Sequence, residues 1–195
     1  MMPFEKQTIR KFLEALGSGS STPGGGSAAA MTAAIGAALI EMVARINHRR
    51  RKESAAKTRI ALIKKNRLRL MKLAAKDAEA FTKLSKLFKE RQSGPKLQKA
   101  LRMSALVPFE ICGLSLKTLD LGAQEIRRTS RWLSSDLAEA GVLLEAAFCS
   151  ARFNVEINLK SMTNQALVRK TGHQLDQRQK KVLRLKKKLL RVFVR

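Results

Sequence analysis

Thr22-Pro23-Gly24-Gly25-Gly26-Ser27, followed by Ala28-Ala29-Ala30-Met31-Thr32-Ala33-Ala34-Ile35-Gly36-Ala37-Ala38-Leu39-Ile40, sets the architecture of this chain. The preceding run from Gly17 is rich in Ser and Gly around Pro23 and cannot be helical throughout. Ser27 reads as the N-cap of an Ala-rich helix that continues to about Ile46. Side chains this small let neighbouring backbones approach closely, so the helix is expected at the centre of a tightly packed bundle. The three glycines, placed where a helix start offers free N–H groups and positive potential, have two readings. They suit a carboxylate, a phosphate or a polar ring edge, and equally a flexible connection ending in a serine cap.

Outward from this stretch, apolar residues recur at spacings of three and four, and nothing argues for strands. Ile9, Phe12, Leu13 and Leu16 make a short first helix. A long basic helix is expected from about Ser54 to Glu90, stopped by Ser93-Gly94-Pro95. Another begins near Lys96 and either kinks or restarts at Pro108, with Ile111 to Ile126 helical. A further helix follows Ser134-Ser135-Asp136 to about Met162. From Asp176 a basic amphipathic helix through Val182, Leu183, Leu185, Leu189, Leu190 and Val192 is one expectation, and a tail ordered only on binding is the other. The fold class is therefore all-α: a single-domain up-and-down helical bundle over 1–165 with a basic C-terminal extension over 166–195.

The 195 residues carry 40 Lys and Arg against 15 Asp and Glu, a net charge of +25, yet 45% are hydrophobic. The excess is confined to 45–102 and 166–195, while 1–44 and 103–165 are balanced, so charge decorates the fold rather than defining it. Two cysteines in apolar surroundings and two histidines leave no zinc pattern and no disulfide framework, which suits a reducing, cytoplasmic setting. No signal peptide is expected in residues 1–16, and the apolar part of Gly17–Ile40 is read as too short and weak to span a bilayer.

Two further constellations carry chemistry. In Asp77-Ala78-Glu79-Ala80-Phe81, Glu79 falls in register with Lys72, Lys76, Lys83 and Lys86 on a solvated face. Asp77 falls instead with Leu70, Leu73, Ala80, Phe81 and Leu84. An acid on an apolar stripe must be paired, protonated or working, and burial raises its pKa toward the range useful for acid–base catalysis. On the helix after Ser135, Asn154 and Asn158 continue a core-facing line with Ala140, Leu144, Ala147 and Ala151. Two amides there suit a heterocycle edge, and equally a buried bridge between helices. Asp136 reads first as a helix cap with Glu139 at the reciprocal position. His48, within Asn47-His48-Arg49-Arg50-Arg51-Lys52, reads as a loop residue, and Trp132 as core or interface filling.

Taken in order, these stretches resemble the cyclodeaminase/cyclohydrolase family: the cyclodeaminase domain of formiminotransferase-cyclodeaminase and the methenyltetrahydrofolate cyclohydrolases. The matching residues are Phe12-Leu13-Glu14-Ala15-Leu16, Thr22-Pro23-Gly24-Gly25-Gly26-Ser27-Ala28-Ala29, Asp77-Ala78-Glu79-Ala80-Phe81, Val107-Pro108-Phe109-Glu110-Ile111, Ser135-Asp136 and Asn154-Val155-Glu156-Ile157-Asn158-Leu159. The resemblance implies a homodimeric helical enzyme that takes a tetrahydrofolate derivative as substrate and uses no metal. Asp77 would be catalytic, and Thr22, Gly24, Gly25, Gly26, Ser27, Asp136, Asn154 and Asn158 would line the folate pocket. Basic surface beside that pocket would suit a folate glutamate tail, polyglutamylated forms included. The competing reading from charge alone is a basic helical protein that binds nucleic acid on the same fold; no stacking aromatics or recognised motif accompany it.

Overall fold

A computed structural model describes residues 7–51 and 53–193, so Lys52 of the basic cluster and the first six residues of the N-terminal reading lie outside the described residues. Six α-helices follow one another: α1 (Ile9–Gly17), α2 (Gly25–Arg51), α3 (Ser54–Lys89), α4 (Gly94–Glu125), α5 (Ser134–Lys160) and α6 (Gln165–Phe193), with one 3₁₀ turn at Arg131–Leu133 and no strand among the described residues. Short connections make each consecutive pair from α2 onward antiparallel neighbours. The order α3, α2, α5, α6 forms an arc, and α4 packs against all four from one side.

α2 is the central helix for the reason its composition implies. Ala30, Ala33 and Ala37 are fully buried, and a Cβ on Gly36 would fall 2.9 Å from Leu144 of α5, so only hydrogen fits between these helices. By length and composition α2 is apolar enough to cross a bilayer, more than Gly17–Ile40 alone suggests, but 61% of its most apolar window is buried inside the bundle. Larger side chains fill the space around it, among them Leu70 and Leu73 from α3, Ile111 and Leu119 from α4, and Leu144 and Phe148 from α5. Each such side chain removed from water contributes roughly 1.5–3 kcal/mol before the entropy of ordering it.

Charge holds the end of the bundle where α2 stops. The buried Glu125 accepts from Arg59 Nε and Asn47 Nδ2, both at 2.9 Å. Nearby, Glu53 accepts both arms of Arg128 at 2.6 and 2.7 Å and a further bond from Arg59 at 2.9 Å. These guanidinium groups hold the Glu53 carboxyl down at about 2. His48 lies in the last turn of α2 rather than in a loop, because the helix runs on to Arg51.

Three other expectations need correction. α2 starts at Gly25, so Ser27 is inside its first turn and is not the cap. α4 does not restart at Pro108, which removes one of the two readings; the residue is buried within one continuous helix. α5 starts at Ser134 with Leu133 at the cap position, which places Asp136 in the first turn, where its charge complements the helix dipole without capping it. The segment after Lys160 is helical from Gln165, started by Asn164, whose side chain accepts from the Leu167 N–H at 2.9 Å. Leu175, Val182, Leu185 and Leu189 of α6 are buried, and α6 packs against α4 and α5, so the packed helix is the observed one of the two states open for this segment.

Candidate active site

A cavity of about 510 Å³ opens between the start of α2, the second half of α3, the beginning of α4 and the end of α5. Among the described residues Asp77 is the one acid and Lys160 the one basic side chain that line it. Helical periodicity delivers Asp77: Leu70, Leu73 and Leu84 on the same stripe are buried, and Asp77 follows that stripe until it meets the first turn of α2.

The two helices touch there because Gly26 has no side chain. A Cβ at that position would lie 2.5 Å from Asp77 Cγ, inside the carboxyl group. The Ser27 hydroxyl donates across the same seam to the Ala74 carbonyl at 2.8 Å and approaches Asp77 Oδ2 at 3.3 Å. Burial pushes the Asp77 carboxyl above the usual carboxylate range; the hydrogen bonds from the Ser27 side chain and backbone pull the other way without cancelling it. The result is a half-buried acid, without an ion pair among the described residues, that faces a cavity and keeps its proton to higher pH than an ordinary carboxyl.

The opposite wall comes from α5. Asn154 Nδ2 donates to the Ser150 carbonyl at 2.9 Å, and Asn158 Nδ2 donates to the Asn154 carbonyl at 2.7 Å. Asn154 spends one of its two N–H groups on backbone and keeps the other, and both side chains line the cavity with their carboxamide oxygens as acceptors. Asn158 Nδ2 also reaches the Ser104 carbonyl at 3.5 Å. That carbonyl lies four residues before Pro108 and has no helical donor, because proline has no N–H. A helix defect on α4 thus leaves an acceptor that ties the α5 amide in place.

Of the residues singled out from sequence, the structure gathers Asp77, Thr22, Gly24, Gly25, Gly26, Asn154 and Asn158 around this cavity. Ser27 sits behind Asp77, buried and outside the lining, and holds the acid instead of facing the cavity. Asp136 is not brought in: it lies 18 residues before Asn154 on the same helix, or about 27 Å along its axis at 1.5 Å per residue. Sequence reasoning missed Ser104, which donates to the Ala80 carbonyl at 3.2 Å, and it missed Phe88, Leu101 and Lys160. Phe81, Phe88 and Ile157 are 44%, 49% and 61% exposed, an apolar rim around the cavity. The Cys112 thiol is no nucleophile for this site, since burial pushes it up to about 12.

Known proteins fit this arrangement. The family model described as formiminotransferase-cyclodeaminase matches residues 8–177. The chain belongs to that family. It is 30% identical over 182 residues to a methenyltetrahydrofolate cyclohydrolase of Methylorubrum extorquens, covering 87% of this chain and 88% of that one. It is 33% identical over 181 residues to the formimidoyltransferase-cyclodeaminase of Mus musculus, covering 86% of this chain but 33% of the mouse protein. The chain therefore spans about a third of that relative. The crystal structure of a formiminotetrahydrofolate cyclodeaminase from Thermotoga maritima superposes with a TM-score of 0.90 at 26% identity, covering 97% of both chains.

Proposed function

We propose that this chain is a folate-dependent one-carbon enzyme, a methenyltetrahydrofolate cyclohydrolase or a formiminotetrahydrofolate cyclodeaminase, with Asp77 as its general acid and base. The observation that carries this reading is the Asp77 carboxyl, which makes no ion pair among the described residues and has a raised pKa, in a cavity walled by glycines, hydroxyls, amides and apolar groups with Lys160 at its edge. Both reactions pass through a tetrahedral carbon between two nitrogens of the folate. In hydrolysis Asp77 takes a proton from water as the C–O bond forms on the methenyl carbon. It returns a proton to N5 as the C–N5 bond breaks, leaving the 10-formyl product. In cyclodeamination N10 attacks the protonated formimino carbon and gives its own proton to Asp77, which passes it to the amino group as that C–N bond breaks and ammonia leaves. A carboxyl whose pKa lies closer to neutrality serves both directions of transfer.

The Asn154 and Asn158 oxygens accept from donors on the pterin edge, the Phe81, Phe88 and Ile157 rim covers an apolar ring, and Lys160 meets a substrate carboxylate. Dimerisation fits the convex face of the bundle. There α2 exposes Ile35 (55%) and Met42 (38%), and α5 exposes Val142 (43%) and Phe153 (68%). Large apolar side chains exposed on two neighbouring helices suit burial against a second copy.

Two assays on the purified chain test the enzyme reading: loss of methenyltetrahydrofolate absorbance, and release of ammonia from 5-formiminotetrahydrofolate. At least one runs well above the spontaneous rate and is lost in Asp77→Asn. Absence of both activities in a folded protein overturns the assignment. Light scattering of the native chain against Ile35→Asp tests the dimer.

A further inference from the structure

On the side away from the α2–α5 face, the arc of helices is open between α3 and α6, and α4 floors the gap. The result is a shallow groove of about 1210 Å³, separate from the Asp77 cavity. Its apolar surface includes Leu62 and Leu68 of α3, 44% and 42% exposed, with Leu114 and Leu121 of α4. Along it stand Lys64, Lys65 and Lys72 of α3, Lys117 of α4, and Lys181 and Arg184 of α6. None of these six makes an ion pair among the described residues, whereas Arg69 beside them is taken by Glu110 at 2.6 Å. Counting every lining charge, seven cations face two acids, Glu110 and Asp120, which leaves the groove at +5.

We propose that this groove is a docking surface for an acidic amphipathic helix of a partner protein. Leucines in the groove demand an apolar stripe, and unpaired cations on both walls demand carboxylates flanking it. A helix 10–12 Å across would fill the groove with roughly two to three turns. A second copy of this chain is disfavoured, since it brings its own +25 to a positive face. Nucleic acid is disfavoured because the lining has no aromatic ring to stack on. Moreover, five of the six free cations are lysines, without the guanidinium fork that suits phosphate.

The test is fluorescence anisotropy of the full chain with a labelled peptide of about 20 residues, Leu at helical spacing on one face and Glu elsewhere. Saturable binding at near-physiological salt is expected. It should weaken at least about tenfold for a peptide of the same composition with the leucines scattered. A similar loss is expected for the Lys65→Glu, Lys72→Glu, Arg184→Glu triple variant, whose side chains are all exposed and whose fold is checked by circular dichroism. Equal affinity for the scattered peptide, or for a single-stranded oligonucleotide of equal charge, overturns the proposal. So does absence of binding, or an unaffected triple variant.

Discussion

The two concavities of this bundle are built on opposite plans. The smaller one, at the start of α2, exists because side chains are absent: Gly26 makes room for one carboxyl group, and the groups around it are fixed through backbone carbonyls at Ala74, Ala80, Ser104 and Ser150. The larger one, over α4, is walled by long, flexible cations, six of which make no ion pair among the described residues. Chemistry needs atoms held to a fraction of an ångström, whereas attraction of an oppositely charged surface does not. The chain accordingly places short, rigid residues at the first, and at the second a net +5 of its +25 charge.

Substitution separates the two most sharply at Asp77. Asp77→Asn should lower turnover by about 10²–10⁴-fold, while the triple charge reversal in the groove leaves kcat unchanged; steady-state kinetics on both variants decides it. The same variant carries a stability signature. Because burial raises the folded pKa of Asp77, its contribution is present below the ordinary carboxylate range and lost as pH rises through the folded value. Asp77→Asn should then melt no lower than the parent at pH 8, with any advantage shrinking toward pH 4 in thermal scans.

Gly26→Ala comes next. The new methyl falls inside the Asp77 carboxyl group, so either the acid or α2 must move. A displacement near 1 Å is expected to cost about 10²-fold in rate and roughly 1–3 kcal/mol in stability. A fully active, equally stable Gly26→Ala protein would show that the seam is looser than described.

Ser27→Ala is gentler and more informative. It removes one buried hydrogen bond, worth about 1 kcal/mol, and one of the interactions that restrain the Asp77 pKa. The acidic limb of the pH–rate profile should move to higher pH with little change in the plateau. A limb that stays in place would assign the limb to another group.

The smallest effect lies at the far end of the bundle, as a control on both regions. Glu53 is held at about 2 by Arg128 and Arg59, so its stabilisation is present above the ordinary Glu range and lost as pH falls from about 4.5 toward 2. Glu53→Gln should flatten the acid dependence of melting in that window and leave activity at neutral pH untouched.

Periodicity was enough to find Asp77, because an acid in register with Leu70, Leu73 and Leu84 is visible without knowing the neighbouring helix. The same periodicity put Asn154 and Asn158 on one line, and the glycines at the start of α2 were legible from composition alone. Ser27 was misread as a cap because a serine at a helix start satisfies local rules; its actual acceptor, the Ala74 carbonyl, lies 47 residues away, where no local rule reaches. Ser104 and Lys160 gave no signal, since a lone serine in a helix and a lysine at a helix end are ordinary until tertiary packing turns them to one cavity. Asp136 entered the site only through the family resemblance, and it stands about 27 Å from Asn154 along α5, away from this cavity.

Pro108 sits on a helix that contributes no proton-handling group, yet its missing amide hydrogen leaves bare the oxygen that Asn158 grips. Any residue carrying that hydrogen would mend the helix ladder and let go of the amide. Drift at this position is therefore filtered twice, once by packing and once by the shape of a pocket the ring never touches.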